Sequence, residues 1–319
     1  MLRLASWNLR YDSQPDRISV DESLRSLPDP SQSPEDTSYR QWTPRRIEVA
    51  RTLLREDVQI IGFQEALVRQ VDDLLKLLGE DTWQYVGVGR EDGENGGEFS
   101  PIFYKRSEFN LLSTDTFWLS HTPFKPSKFP GAGSTRICTV ARFSKASEGG
   151  DPITIMNTHL DDSSDAQRKL GSSLILARAK YEAASSDGLV FLSGDFNSSS
   201  SGKDDSAYKI MTGDLAPVSI SEEFLERFKV PLDTLPDFRM IDARTKTSPL
   251  NISGNFATYT GFKSPENSSW NTARIDFIFG GNNVGWLPTS YSVPSALIDD
   301  GTLASDHRPI FVRVSQEST

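Results

Sequence analysis

Apolar runs that end in acids, amides or imidazoles constrain this chain more than any other feature. Ala5-Ser6-Trp7 ends in Asn8, and Ile60–Phe63 ends in Gln64 and Glu65. Ile153–Met156 leads to Asn157 and His159, and Leu189–Leu192 leads to Asp195 and Asn197. Residues 60–63 and 189–192 are apolar at consecutive positions, which predicts strands covered on both faces, with helices outside packed sheets. A carboxylate at the end of such a strand is costly unless it is paired, solvated or bound to a metal. In sheet proteins the crevice beyond one set of strand ends is the usual place for ligands. One such acid reads as a helix cap or a surface acid. The repetition over several runs reads as a site.

The remaining pattern alternates strands with helices. After the strand Leu2–Leu9, the polar stretch Asp12–Gln41 lacks apolar periodicity and is expected to be a mobile loop or part of a substrate rim. Thr43-Pro44 signals a helix start, and Ile47, Ala50, Leu53 and Leu54 recur on one face of that helix. A second helix carries Val71, Leu74, Leu75 and Leu78, and a third spans residues 165–184. Further strands are expected at 83–88, 101–104, 111–119, 135–143, 256–262, 274–279 and 309–314, with a variable region at 198–239. No stretch has linker composition and no segment repeats, so residues 1–319 read as one α/β domain with mixed sheets.

The chain has only three histidines, and two of them, His159 and His307, fall in polar segments of this kind. Asp306 and His307 immediately precede the run Ile310-Phe311-Val312, at the entrance to a strand. Asp276, flanked by Ile275 and Phe277, faces the opposite side of its strand from them. From there it can hold His307 by a hydrogen bond and favour the protonated ring. Acids, amides and imidazoles gathered in this way suit metal-assisted attack on a phosphoester. Cys138 lies in an apolar alternation and reads as a small core residue, and a lone cysteine excludes an internal disulfide.

The formal charge of −10 disfavours a non-specific nucleic-acid binder, which gains affinity from a basic face. The short basic pairs Arg45-Arg46 and Arg168-Lys169 read as solvated helix faces. A small or partly neutral phosphoester suits the charge better, with nucleic acid the second choice. No apolar run approaches the ~20 residues of a membrane span, and no secretory signal opens the chain. A cytoplasmic monomer is expected, unless a leader has been omitted.

Taken together, Trp7-Asn8, Gln64-Glu65, Asn157-Thr158-His159-Leu160, Gly194-Asp195-Phe196-Asn197, Ile275-Asp276-Phe277-Ile278 and Ser305-Asp306-His307-Arg308-Pro309 resemble the endonuclease/exonuclease/phosphatase superfamily. The phrases at residues 7–12, 87–93, 100–104 and 116–120 resemble its poorly characterised bacterial and fungal hydrolase branch. The resemblance implies a four-layer α/β/β/α sandwich with two mixed, mainly antiparallel sheets face to face. It implies Mg²⁺ or Mn²⁺, with Glu65 as principal ligand and Asn8 and Asp306 beside it. Asp195 resembles the residue that orients or deprotonates water, assisted by Asn197. His307, steadied by Asp276, and His159 resemble the imidazoles that bind the scissile phosphate, each expected to donate a hydrogen bond to its oxygens. An acid found in the abasic-site nucleases is replaced here by Arg10, which points to a substrate anion instead of a second metal. Arg136 and Tyr104 are the foremost further rim candidates, followed by Arg90, Trp118, His121 and Lys128. The expected reaction is hydrolysis of a phosphoester by in-line attack of water. A nuclease, a sphingomyelinase-like lipid phosphodiesterase and a catalytically silent binding module are the alternatives.

Overall fold

The computed structural model describes residues 1–25, 41–147, 151–186, 188–263, 271–296 and 303–316. Two mixed sheets form its centre. One has seven strands in the order β10 (Ile252–Gly254), β12 (Trp286–Val293), β13 (Ile310–Gln316), β1 (Leu2–Asn8), β2 (Ile60–Gln64), β4 (Ile102–Lys105) and β3 (Trp83–Val86). The other has six, in the order β5 (Phe109–Trp118), β6 (Ile137–Lys145), β7 (Ile153–His159), β8 (Leu189–Asp195), β11 (Asp276–Gly281) and β9 (Met240–Asp242). Pairing is mainly antiparallel, with parallel contacts at β1–β2, β10–β12 and β7–β8.

Alternation along the central strands assigns side chains to different layers. Leu4 and Ile60 join the core between the sheets, where Phe191, Ile155 and Ile278 meet them. Their neighbours Ala5 and Ile61 join an outer core under α2 (Trp42–Arg55) and α3 (Val68–Leu78). Across the molecule, Val190 and Leu192 pack under α4 (Asp165–Ser186) and α5 (Ser206–Thr212). Helix, sheet, sheet and helix thus form four layers. This explains the unbroken apolar runs: a strand sandwiched on both sides has no face for water.

A polar seam crosses the inter-sheet core just below the strand ends. Gln64 Nε2 donates to Asn157 Oδ1 at 2.8 Å, and Asn157 Nδ2 donates to the carbonyls of Phe63 and Pro101. Ser193 Oγ also donates to Asn157 Oδ1, at 3.1 Å. The sheets are so close here that a Cβ on Gly62 would lie 2.2 Å from Ser193 Oγ, so only glycine fits. The seam fixes one sheet against the other directly beneath the polar strand ends.

Several expectations are corrected. Residues 256–262 form no strand, and only isolated bridges join Tyr259 to Ala273 and His307. Strand β12 was not among the expected strands, and its Pro288 sits where the register shifts between residues 288 and 290. Leu54 is 54% exposed and lies outside the packed face of α2. Arg45 and Arg46, read as solvated, are fully buried, and Arg168 is buried too. Arg46 precedes Ala50 and Leu53 by helical spacing, so its position on the buried stripe was legible in the sequence. The region 198–239 includes α5 and α6 (Glu222–Arg227), whose Ile210, Met211 and Phe224 complete the second outer core. Of the polar stretch 12–41, residues 26–40 lie outside the described residues, and α1 (Val20–Arg25) occupies part of the rest. Cys138 is buried.

Candidate functional site

Strand register builds the floor of the site. In the six-stranded sheet, His159, Asp195 and Asp276 stand side by side on β7, β8 and β11. In the other sheet Asn8 pairs with Gln64, and Glu65 follows at the end of β2. Three of the non-glycine residues with left-handed backbone lie just past these ends: Arg10 (φ 56°), Glu65 (φ 58°) and Asn197 (φ 45°). Each such residue costs on the order of 1 kcal/mol, and such strain collects where side chains are aimed at a site. The compensation at Arg10 is visible. Its N–H donates to Asn8 Oδ1 at 2.9 Å, and its carbonyl accepts from Arg45 Nη2 and Gln70 Nε2.

These residues meet at a cleft of about 660 Å³, lined by Arg10, Glu65, Glu98, Arg136, His159, Asp195, Asn197, Asp306 and His307, with Tyr11, Tyr259 and Phe262 among the rest of its wall. Asp195 is the hub. Its Oδ2 accepts from Asn8 Nδ2 at 2.9 Å and lies 3.6 Å from Nε2 of both His159 and His307. Its Oδ1 accepts from the Asn197 N–H at 2.9 Å. Burial, and then the negative charge of Asp276, raise the Asp195 carboxyl to about 7 against the opposing pull of His307 and its hydrogen bonds.

The two imidazoles have opposite electrostatics. His307 Nδ1 donates to Asp276 Oδ2 at 2.8 Å. Burial alone would lower its pKa, but Asp276, Asp195 and Asp306 together outweigh that cost and lift it to about 10. His159 is lowered well below the ordinary value, first by burial and then by Arg136 and Arg90. Its Nε2 meets Asn197 Nδ2 at 3.0 Å, and the same Nδ2 donates to the Leu160 carbonyl at 3.0 Å. The carbonyl fixes which way the amide points, so Nε2 must be the acceptor. The neutral ring therefore carries its proton on Nδ1, facing Glu98 Oε2 at 3.9 Å. In this arrangement His159 Nε2 accepts from Asn197 and carries no proton of its own.

Asn8 is placed differently from the expectation of a metal ligand. Its Oδ1 is taken by the Arg10 N–H, and its Nδ2 donates to Glu65 Oε1 (3.0 Å) and Asp195. An amide turned so presents N–H groups to the acids and holds them apart at a fixed spacing. Tyr104 is not at the cleft. Its ring packs on Phe143 in the inter-sheet core, and its hydroxyl donates to Gln84. Trp118 donates to the Arg90 carbonyl, and Arg90 is spent on Glu98 at 2.6 Å. His121 packs against Phe129, and neither it nor Lys128 lines the cleft. Arg136 and Arg10 do line it.

Sequence reading missed Glu98 and Arg45. Glu98 is raised to about 7 by burial and by Glu65, against Arg90 and Arg136. It follows Gly96-Gly97 in the loop between residues 87–93 and 100–104, where no local pattern marks it as a site residue. Arg45 donates to the carbonyls of Leu9, Arg10 and Ala304, tying the loop after β1 to the segment carrying Asp306. Burial lowers it to about 10, still cationic at neutral pH.

The donor set fits a divalent cation. Glu65, His159 and Asp195 each offer a ligand atom, all within 4.8 Å of one another. Glu65 and Asp306 face one space, since a single guanidinium, that of Arg10, lies 3.5 Å from the first and 3.9 Å from the second.

A family model described as the Endonuclease/Exonuclease/phosphatase family matches residues 5–307. A Bacteroides vulgatus protein described as an endonuclease/exonuclease/phosphatase is 26% identical, with 99% of each chain covered and a TM-score of 0.75. A mannosyl-6-phosphatase from Bacteroides thetaiotaomicron is 24% identical over 99% of this chain and 100% of that one, with a TM-score of 0.72. TDP2 of D. rerio, complexed with single strand DNA product, shares the fold at 16% identity, 99% coverage of both chains and a TM-score of 0.60. No curated protein matches the chain in sequence.

Proposed function

The chain belongs to the endonuclease/exonuclease/phosphatase family, and we propose that it is a divalent-metal-dependent phosphoester hydrolase that acts as one catalytic domain on small, non-polymeric phosphoesters with Mg²⁺ or Mn²⁺. The observation that carries this reading is the convergence of Glu65, His159, Asp195, Asp306 and His307 on one cleft from separate parts of the chain. The similarity to a mannosyl-6-phosphatase supports a small substrate, and so does the net charge of −10.

In this reading Glu65 and Asp306 hold the cation, whose oxygen-rich ligands favour a hard ion. Such an ion, when bound, neutralises charge on a non-bridging phosphate oxygen and steadies the departing one. Asp195 takes the proton of the attacking water as the new O–P bond forms and the opposite P–O bond breaks. A carboxyl raised to about 7 is matched to that task near neutral pH. His307, cationic through Asp276, donates from Nε2 to a phosphate oxygen and offsets its growing charge. Asn8 spaces Glu65 from Asp195, while His159 holds the Asn197 amide by accepting from it. The leaving oxygen takes its proton from water at the mouth of the cleft.

The test is an activity screen over sugar phosphates, mononucleotide diesters, phospholipid head groups and oligonucleotides, with and without Mg²⁺ or Mn²⁺. Turnover of a small ester, abolished by chelation and by Asp195→Ala, is expected. Turnover confined to oligonucleotides, with steep salt dependence, overturns the small-substrate reading in favour of a nuclease.

A further inference from the structure

We propose that Arg10 makes the cleft selective for a terminal phosphate, a phosphomonoester, over a diester. This rests on the hydrolase reading above and names the ester class it takes. Arg10 is aimed by its backbone: a left-handed φ of 56°, an N–H given to Asn8 and a carbonyl held by Arg45 and Gln70. Its guanidinium lies over the Tyr11 ring, 4.6 Å from the centroid, at the cleft wall. The contacts to Glu65 Oε2 (3.5 Å) and Asp306 Oδ2 (3.9 Å) are longer than the roughly 2.7–2.9 Å of a charge-assisted hydrogen bond. Nη1 makes one long hydrogen bond to Glu65, and among the described residues Nε and Nη2 make none.

The other charged donors at the cleft are largely committed or buried, and Tyr11, Ser134 and Tyr259 add only neutral hydroxyls. His307 gives Nδ1 to Asp276, leaving Nε2. Arg136 gives Nε to Asp161 and Nη2 to Asp162, and its remaining Nη1 is buried without a hydrogen-bond partner. Asn8 gives its amide hydrogens to Glu65 and Asp195. A diester has two non-bridging oxygens, and a cation beside Glu65 together with His307 Nε2 is enough for them. A monoester has a third, and Arg10 is the planar, donor-rich cation open enough to receive it, its side chain 38% exposed against 5% for Arg136. With a diester, an alkylated oxygen of little charge faces the guanidinium, and a site built to hydrogen-bond a group rejects the analogue that lacks it.

The experiment is calorimetric titration of the Mg²⁺-loaded protein with phenylphosphonate and with its methyl monoester, above the phosphonate's second ionisation. These ligands share the phenyl–phosphorus core, and the ester replaces one free, charged oxygen by a methoxy group. Wild type is expected to bind phenylphosphonate at least ~10-fold more tightly. Arg10→Met should bring the two affinities within about 2-fold of each other, chiefly by weakening the phosphonate. Arg10→Lys, which keeps the charge without the fork, should fall between, and it carries the test should the methionine variant fail to fold. Equal affinities in wild type, or equal weakening of both ligands in the variants, overturn the proposal. A parallel assay separates the two readings. If neither phenyl phosphate nor methyl phenyl phosphate is hydrolysed with any divalent cation while the binding ratio holds, the hydrolase reading fails and the selectivity stands. Hydrolysis of both with equal kcat/KM sinks the selectivity alone.

Discussion

His307 and His159 approach the same carboxylate oxygen from two sides, each at 3.6 Å, and each is almost completely buried. Burial penalises the charged ring at both, yet one is lifted to about 10 and the other pushed well below its ordinary value. The difference comes from the flanks. Behind His307 stands Asp276 at 2.8 Å, with Asp195 and Asp306 near; around His159 stand Arg136 and Arg90, and its facing acid, Glu98, is 3.9 Å away and already paired with Arg90 at 2.6 Å. One fold therefore supplies a fixed cation and a neutral acceptor to a single acid. Burial opposes the charge of both rings, and the charges of their neighbours decide whether it is overcome, as at His307, or reinforced, as at His159.

Removing the cationic partner should have the largest effect. His307→Ala is expected to lower kcat by at least ~10²–10³ with little change in Tm, because the lost interaction strengthens as charge develops on the phosphate. Near-normal turnover would assign the cation's role elsewhere. Asp276→Asn should come next, at ~10–10² in kcat at neutral pH, with a distinctive pH profile. Wild type keeps His307 charged until pH approaches about 10, so activity should persist on the alkaline side. Without Asp276, the burial cost dominates, and activity should fall as pH rises through neutrality. Stability has the same sign. A ring raised in the folded state contributes fully below its unfolded value and loses that contribution as pH climbs through about 10, so wild-type Tm should decline over that window more steeply than that of Asp276→Asn. Parallel Tm curves for the two proteins would mean that the pair does not hold the proton.

How much of this was legible follows the same division. The layered sheets could be read because strands covered on both faces must be apolar at consecutive positions, as residues 60–63 and 189–192 are. The Asp276–His307 contact could be anticipated from side-chain alternation and a scarce histidine placed at a strand entrance. Residue type was enough for those. It was not enough for Asn8, whose amide direction depends on an N–H two residues later, or for the proton of His159, which depends on the Leu160 carbonyl acting through Asn197. Tyr104 was misplaced because β4 pairs between β2 and β3 and turns that ring into the inter-sheet core. Glu98 comes from a loop whose course no local pattern encodes.

The His159 flank should be more tolerant. Glu98→Gln removes the charge facing Nδ1 but keeps an oxygen acceptor, and the gap of 3.9 Å makes the coupling looser than that of Asp276. A fall in kcat of about 3–10-fold, with KM nearly unchanged, is expected. A loss as large as that of Asp276→Asn would erase the asymmetry and make the two imidazoles equivalent.

The smallest effect is on ionisation rather than rate, and it isolates the second neighbour. His159 should show no titration near neutral pH in the wild-type protein, because burial and two guanidiniums oppose its charging. Arg136→Met removes the larger of the two cationic contributions and leaves the burial, so the His159 pKa should rise without reaching the ordinary value. With three histidines in the chain, the Cε1 proton signals can be assigned with single variants and followed by NMR across the acid range. His307 should stay protonated throughout, since Asp276 is untouched. An unmoved His159 signal would mean that its lowering comes from burial and the remaining cations without Arg136. The contrast between the two rings would then rest on the acids around His307, and the Arg136 guanidinium would have no part in keeping His159 neutral.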